Sequence, residues 1–401
     1  MLIKIRDKDT LKSFQIEYLY LLNMSFIDQH TNDPLILCCI IVFIIAVMVQ
    51  LYYALFIFYK LALYKVLKPN KSPELPISVI IAARNERKAL DKNLCSILKQ
   101  EYPKFEVIVV NNNSVDDSNE VLKAYQNNFK NLQIVSLNSP KHITKGKKLP
   151  LTLGIKAAKY EHLVFTDADC VPSSSQWLNK MAQKFEEGNE IVLGYGPYKK
   201  TKTLVNKIIR FDTAWIGINY FAFALKGTPY MGVGRNIAYT KTAYHQVNGF
   251  KSHYAIPSGD DDLFIQEASK KASLCIQIDS ESFCESDAKE TWSDWINQKS
   301  RHYTTSVRYR FIKKVMLATY PITLIAAWFS FVSLMILGSF PLLYTTAIVS
   351  ATFIKWWIQR KCLDKIKEQK FALFFPIWDL FYALLIPIIY FLAKNKRNKD
   401  W

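Results

Sequence analysis

Asp167 and Asp169 stand one residue apart at the end of the apolar run Leu163-Val164-Phe165-Thr166. In an extended chain, residues i and i+2 point the same way, so both carboxylates share one side. Two such carboxylates suit a hard divalent cation, Mg2+ or Mn2+, of the kind that bridges carboxylates to phosphates. The same spacing also occurs in ordinary turns, where Asp bonds nearby backbone. A second acidic cluster, Gly259-Asp260-Asp261-Asp262, precedes a helical stretch that begins at Leu263. One or two of these acids can serve as a cap and a dipole partner at a helix N-terminus. Three adjacent carboxylates repel one another, and crowding of that kind raises a pKa towards the range of a general base.

Lys145-Gly146-Lys147-Lys148 combines cations with a glycine that permits close approach, as a phosphate contact requires. It also reads as a solvated basic turn. Gly232-Val233-Gly234-Arg235-Asn236 reads as a tight turn. Gln298 and Arg301, three residues apart in a helical region after Trp292 and Trp295, share a face. An Arg there also suits lipid headgroups. His302 has no convergent partners that would make it a metal ligand. The chain has no G-x-G-x-x-G after its first strand, no G-x-x-x-x-G-K-[S/T] and no C-x-x-C. The dinucleotide fingerprint, the P-loop and a zinc ribbon are therefore unsupported. Seven Cys form no disulfide scaffold and read as small core or membrane-facing residues.

These groups need a frame, and the hydrophobic pattern supplies one. Ile77–Ala83, 105–110, 132–136 and 162–166 read as buried strands. Residues 87–99, 116–127 and 147–159 read as helices between them. This alternation predicts an α/β fold, a mostly parallel sheet with helices on both faces. Ligands of such sheets bind beyond the carboxyl ends of the strands. Arg84-Asn85-Glu86, Asn111 to Asp117, and Asp167 to Asp169 all fall there.

The 401 residues carry 52 Lys and Arg against 34 Asp and Glu, a net charge of +18, and half are hydrophobic. That composition excludes a disordered or collagen-like chain. Residues 35–59 and 315–354 hold no charge, and 371–393 hold only Asp379. About 20 apolar residues span a bilayer. The expected layout is an N-terminal tail (1–34), a transmembrane helix (35–64) and a cytosolic catalytic domain (65–314). Two transmembrane helices (315–358) follow, with a break near Gly338 and Pro341. A basic cytosolic loop (359–370) then leads into a last apolar helix with a basic tail (371–401). That last helix is either a span or an interfacial segment. Lys and Arg flank the inner ends of the first two runs, which predicts a cytosolic middle region in an integral protein of the plasma or inner membrane. That region carries 37 basic and 25 acidic residues. Its excess suits anionic lipid or phosphate-bearing substrates, and no nucleic-acid module is visible.

Taken in order, these segments resemble a membrane-bound family 2 glycosyltransferase with a GT-A fold, over about residues 76–305. Ile80 to Glu86 resembles the first nucleotide-binding segment. Val109 to Asp117 is similar to the segment that usually reads V-D-D-G-S-T-D. Gly146-Lys147 with Gly154 resembles G-K-x-x-A-L-N-x-G. Asp167-Ala168-Asp169 resembles D-x-D, Asp260 or Asp261 the E-D base, and Gln298 to His302 the Q-x-x-R-W motif. Three positions depart: Asn111-Asn112-Asn113 replaces D-D-G, Gly259 stands at the E when Asp260 is the base, and His302 replaces the final Trp. The resemblance implies a nucleotide-sugar donor, UDP by default. Ala83, Asn85, Glu86 and Asn112 would bind the donor with Lys147, Asp167 and Arg301. Asp167 and Asp169 would hold Mg2+ or Mn2+, and Gln298 and His302 would line the acceptor side. The implied activity is inverting, metal-dependent transfer to a lipid or lipid-linked saccharide in envelope glycan or glycolipid synthesis. A processive polysaccharide synthase of the cellulose or hyaluronan type, and an inactive membrane scaffold, are the alternatives.

Overall fold

The computed structural model describes residues 33–66, 72–137, 146–337 and 340–394. Most of the expected N-terminal tail, Lys145, Gly338 and the basic tail from 395 onward lie outside the described residues. The described residues form two compact units, one from those up to Tyr53 and between Ala318 and Lys355, the other from those between Ala54 and Leu317 and from Trp356 onward.

The second unit is built on β1 (Ile77–Ala83), β2 (Phe105–Asn112), β3 (Leu132–Leu137), β4 (His162–Asp167), β5 (Cys170–Pro172), β6 (Ile191–Leu193), β7 (Ile237–Thr240), β8 (Leu274–Ile276) and β9 (Cys284–Ser286). Seven strands form one sheet in the order β3-β2-β1-β4-β7-β6-β8, and β5 pairs with β9. β3, β2, β1 and β4 run parallel, whereas β7 is antiparallel to β4 and to β6.

All seven residues of β1 are buried. A strand covered on both faces is apolar at nearly every position, which is why Ile77–Ala83 does not alternate; its one polar residue, Ser78, is buried and donates to Glu106 Oε1. The two covers are distinct. Leu90, Leu94, Ile97 and Leu98 of helix Arg87–Leu98 join Ile77, Val79, Ile81, Val107 and Val109 in one core cluster. Helix Lys148–Ala157 takes the other face, so close that a Cβ on Gly154 would fall 2.6 Å from Ile80 Cγ2. The predicted α/β frame is thus present, with helices on both faces.

Helix Leu204–Leu225, absent from the sequence reading, is mostly buried although it carries Arg210 and Asp212. Both charges are paired, as burial requires. Lys299 Nζ donates to Asp212 Oδ1 at 2.6 Å, Tyr382 also donates to Asp212, and Arg210 pairs with Glu368. Ile208, Ile209, Trp295 and Ile389 pack together. Helix Trp292–Ser306 is thereby clamped between Leu204–Leu225 and Phe375–Lys394.

In the first unit, Ile36, Phe43 and Ala46 pack against Ala327, Leu334, Tyr344 and Ile348. Gln50 is buried there and fully engaged: its amide donates to Tyr320 O and Thr323 Oγ1 and accepts from Lys355 Nζ. Among the described residues, three helices are long and apolar enough to cross a membrane: Pro34–Leu63, Phe311–Ile336 and Phe375–Lys394. Helix Pro341–Lys365 is not among them: its first 18 residues hold a single charge, Lys355, but Tyr, Thr, Ser and Trp dilute their hydropathy, and Arg360, Lys361, Asp364 and Lys365 follow.

Candidate active site

The strand register gathers the predicted donor residues at one edge. Ala83 lies beside Asn111, and Ala82 beside Asp167, at the carboxyl ends of three neighbouring parallel strands. The loops there bind each other. Asn85 N donates to Ser114 Oγ and Val115 N to Asn85 Oδ1; Glu86 N donates to Ser118 Oγ and Arg87 N to Asp116 Oδ2. Asn85 and Asn113 both have positive φ, 55° and 51°. Asn tolerates that region better than other side-chain-bearing residues, so Asn113 occupies the place where the D-D-G pattern uses glycine. Asn111 Oδ1 accepts from Ser114 N at 3.3 Å, and Asn112 is buried.

Lys147 reaches across to β4, where its Nζ lies 2.6 Å from Asp167 Oδ1. Burial opposes its charge, but Asp167, Asp260 and Asp169 together outweigh that and raise its pKa. The charge set around Lys147 is therefore Asp167, Asp169 and Asp260, from two segments nearly a hundred residues apart. Glu86, half-buried, is pushed up to about 7 by burial and then by Asp169.

The ligand atoms of Asp167, Asp169 and Cys170 lie within 4.8 Å of one another. Lys147 occupies one Asp167 oxygen, which leaves the second and the exposed Asp169 carboxylate. Cys170 is fully buried, and its Sγ donates to Asp169 Oδ1 at 3.4 Å. A hydrogen bond with Cys284 and burial push its thiol well up, so it stays protonated. Two carboxylates and a protonated thiol fit an oxygen-seeking divalent ion, not one bound by thiolates.

The acidic triplet divides its work. Asp261 Oδ2 accepts from Gly234 N at 3.0 Å and its Oδ1 from Asp262 N at 2.7 Å. Asp262 is buried and accepts from Leu263 N, Thr305 Oγ1 and Tyr309 Oη. Both therefore hold structure in place, and Asp262 anchors helix Asp262–Ala268 to helix Trp292–Ser306. Asp260 is the member that interacts with Lys147 and Asp167; burial raises its pKa. Gly259, with φ of 98°, makes the turn into the triplet, and a Cβ there would meet Leu263 Cδ1 at 2.8 Å. That is why no glutamate stands at this position.

Lys148, read with Lys147 as one basic turn, does something else. It is buried, and its Nζ donates to the carbonyls of His253, Ile256 and Ser258 at 2.5 to 2.7 Å. These bonds pin the loop that leads into Asp260. Gly146 abuts the same loop, and a Cβ there would lie 2.0 Å from Pro257 O at a φ of 108°. Gly146→Ala should therefore displace the loop. We expect a lower thermal midpoint, by about 1–3 kcal/mol of strain, together with a loss of activity; an unchanged melt would refute the contact.

Gln298 Nε2 donates to Tyr198 Oη at 3.0 Å. His302 is exposed and within electrostatic range of Lys147 and Arg235. Arg301 is half-buried on the same helix. Sequence reasoning missed Arg235, whose guanidinium stacks 4.2 Å from the Tyr198 ring and interacts with Asp169. The glycines around it were the available signal: Gly196 leaves room for its side chain, since a Cβ there would lie 2.3 Å from Arg235 Nε. Asn236 beside it is wholly structural, bonded to Trp177, Tyr195 and Ser282.

Comparison with known proteins agrees with this geometry. A family model described as glycosyl transferase family 2 matches residues 78–247. Over 95 residues the chain is 35% identical to the poly-beta-1,6-N-acetyl-D-glucosamine synthase of Staphylococcus epidermidis, a match that covers 24% of this chain and only 22% of that protein. Over 238 residues it is 24% identical to the probable glycosyltransferase YdaM of Bacillus subtilis, covering 57% and 54%. Among solved structures, a mannosyltransferase from Pyrobaculum calidifontis, in complex with GDP-Man and Mn2+, superposes with a TM-score of 0.51 at 16% identity, covering 86% of this chain and 98% of that one. Residues 78–247 of the chain thus match a glycosyl transferase family 2 domain, and the fold around them is GT-A.

Proposed function

We propose that the protein is a membrane-anchored inverting glycosyltransferase that moves a sugar from a nucleoside diphosphate donor to a lipid or lipid-linked saccharide. The observation that carries this reading is the convergence of Lys147, Asp167, Asp169 and Asp260 at the carboxyl edge of the sheet. Asp169 and the free oxygen of Asp167 would hold Mg2+ or Mn2+. When bound, that ion offsets charge developing on the departing diphosphate. Ala83, Asn85, Glu86 and Asn112 form the nucleoside end of the cleft, and Lys147 and Arg301 supply positive charge near the diphosphate. Asp260, whose carboxylate bonds only its own backbone N–H whereas that of Asp261 holds Gly234 and Asp262, takes the proton from the acceptor hydroxyl as it attacks the anomeric carbon. One displacement without an enzyme nucleophile inverts that carbon. Gln298 and His302 face the acceptor.

The Lys and Arg residues flanking the apolar helices support a cytosolic catalytic domain, from which a lipid-borne acceptor in the inner leaflet is reachable. A processive reading draws support from the relative named for poly-N-acetylglucosamine synthesis, over the short stretch it shares. One assay separates the readings. The purified full chain is reconstituted in native lipid extract and offered radiolabelled nucleotide sugars with Mn2+. Label in the lipid phase is expected. Label only in insoluble polymer would favour the processive reading, and none with any donor, from folded protein, would leave the scaffold.

A further inference from the structure

Helix Arg87–Leu98 buries Leu90, Asn93, Leu94, Ile97 and Leu98, and Asn93 is the polar member of that set. It lies three residues after Leu90 and four before Ile97, so it shares their face. Leu90, Leu94 and Ile97 pack in one core cluster with Ala168, the residue between Asp167 and Asp169. A leucine at 93 would extend the apolar stripe, and leucine favours a helix more than asparagine does.

The asparagine makes a bond that leucine cannot. Its Nδ2 donates to the carbonyl oxygen of Ala168 at 3.3 Å. A backbone carbonyl only accepts, so the amide nitrogen is the atom that faces it. Asn93 Oδ1 is left sealed in the core, with no hydrogen-bond partner among the described residues. Both residues are buried, Asn93 being 4% exposed and Ala168 5%. An unpaired buried oxygen costs stability, so stability alone does not account for an asparagine here.

The bonded carbonyl lies where the D-x-D segment leaves the sheet. The register of β4 with β1 runs to Asp167, opposite Ala82, and β5 begins at Cys170. Ala168 and Asp169 link the two strands. Ala168 O belongs to the same planar peptide unit as the N and Cα of Asp169. Holding that oxygen sets the plane, and with it the direction in which the Asp169 side chain leaves the backbone. The two carboxylates are held differently. Lys147 Nζ grips Asp167 at 2.6 Å, whereas the exposed Asp169 receives a weak thiol donation from Cys170 at 3.4 Å. Asp169 therefore depends more on its backbone for its aim. We propose that Asn93 is a positioning residue for the divalent ion: it holds the Ala168–Asp169 peptide so that the Asp169 carboxylate converges with that of Asp167. This assignment rests on the reading of Asp167 and Asp169 as ion ligands.

The test reads ion binding instead of sugar transfer. The full chain in detergent is titrated with Mn2+ in separate runs with UDP and with GDP, and free Mn2+ is followed by electron paramagnetic resonance. Asn93→Leu keeps the branched shape of the side chain and Asn93→Ala shortens it; both remove the donor. Groups that orient metal ligands from outside are worth about 10- to 100-fold in metal affinity, so both variants should weaken Mn2+ binding at least about tenfold. Their affinity for the nucleoside diphosphate in EDTA should stay that of the wild type. A purely structural asparagine predicts the opposite: a shifted melting midpoint, lower for the alanine cavity, with Mn2+ affinity untouched. Each variant is first checked to melt cooperatively. Wild-type Mn2+ affinity in either variant would overturn the assignment. Wild-type protein that binds no Mn2+ with either nucleotide would defeat the ion site itself, and the role of Asn93 with it.

Discussion

Asp260→Asn is expected to abolish sugar transfer while leaving donor binding nearly unchanged. A positioned general base contributes roughly 100- to 10,000-fold, and the amide cannot take the acceptor proton. The expected signature is a fall in kcat of that size with little change in donor KM. The contrast with its neighbour makes the test sharp. Asp261→Asn should chiefly destabilise the protein, because Asp261 accepts from the backbone of Gly234 and Asp262 with both oxygens. Stability should move oppositely in the two variants. Burial raises the pKa of Asp260, so the folded state holds that proton more tightly than the unfolded one. Stability contributed by this group is then full below its ordinary value of 3.8 and falls as pH rises through its higher folded value. At neutral pH, Asp260→Asn removes that cost, and the thermal midpoint should hold or rise as activity disappears. The wild-type kcat should fall on the acid side, where the cluster is protonated. Wild-type turnover in Asp260→Asn, with loss in Asp261→Asn, would reverse the assignment.

Asp169→Asn should uncouple donor binding from the divalent ion. Lys147 already holds one oxygen of Asp167, so Asp169 is the more available carboxylate of the pair. Its loss should reduce transfer by at least about 100-fold, equivalent to about 3 kcal/mol. Calorimetric titration of the free nucleoside diphosphate gives a direct readout. In the wild type, Mn2+ should strengthen binding and EDTA should reverse that. In Asp169→Asn the two titrations should coincide. A metal response of wild-type size in the variant would place the ion elsewhere.

The residues that departed from the family pattern show how far local sequence carries the argument. Asn113 departs from the pattern's glycine, but its positive φ makes it a backbone substitute. Gly259 looked like a missing acid, and the space before Leu263 explains it. In each case the requirement was conformational, and a motif written in side chains does not display it.

What the amino-acid order determined alone was the part of the molecule governed by short-range periodicity. Continuous apolar runs such as Val79–Ala83 specify strands covered on both faces, and the helical spacing of Leu90, Leu94 and Ile97 specifies the cover. Uncharged stretches long enough for a bilayer are equally legible, because solvation depends on local composition. Only the tertiary structure decided which acid faces the site, that Lys147 and Lys148 point to different tasks, and that Arg235 and helix Leu204–Leu225 belong to the core of the catalytic unit. Those outcomes depend on pairing between segments far apart in the chain: Lys147 with Asp167 and Asp260, Lys148 with the carbonyls before Gly259, Asp212 with Lys299. A buried charge reveals its role through its partner, and the partner is chosen by packing, which no local pattern encodes.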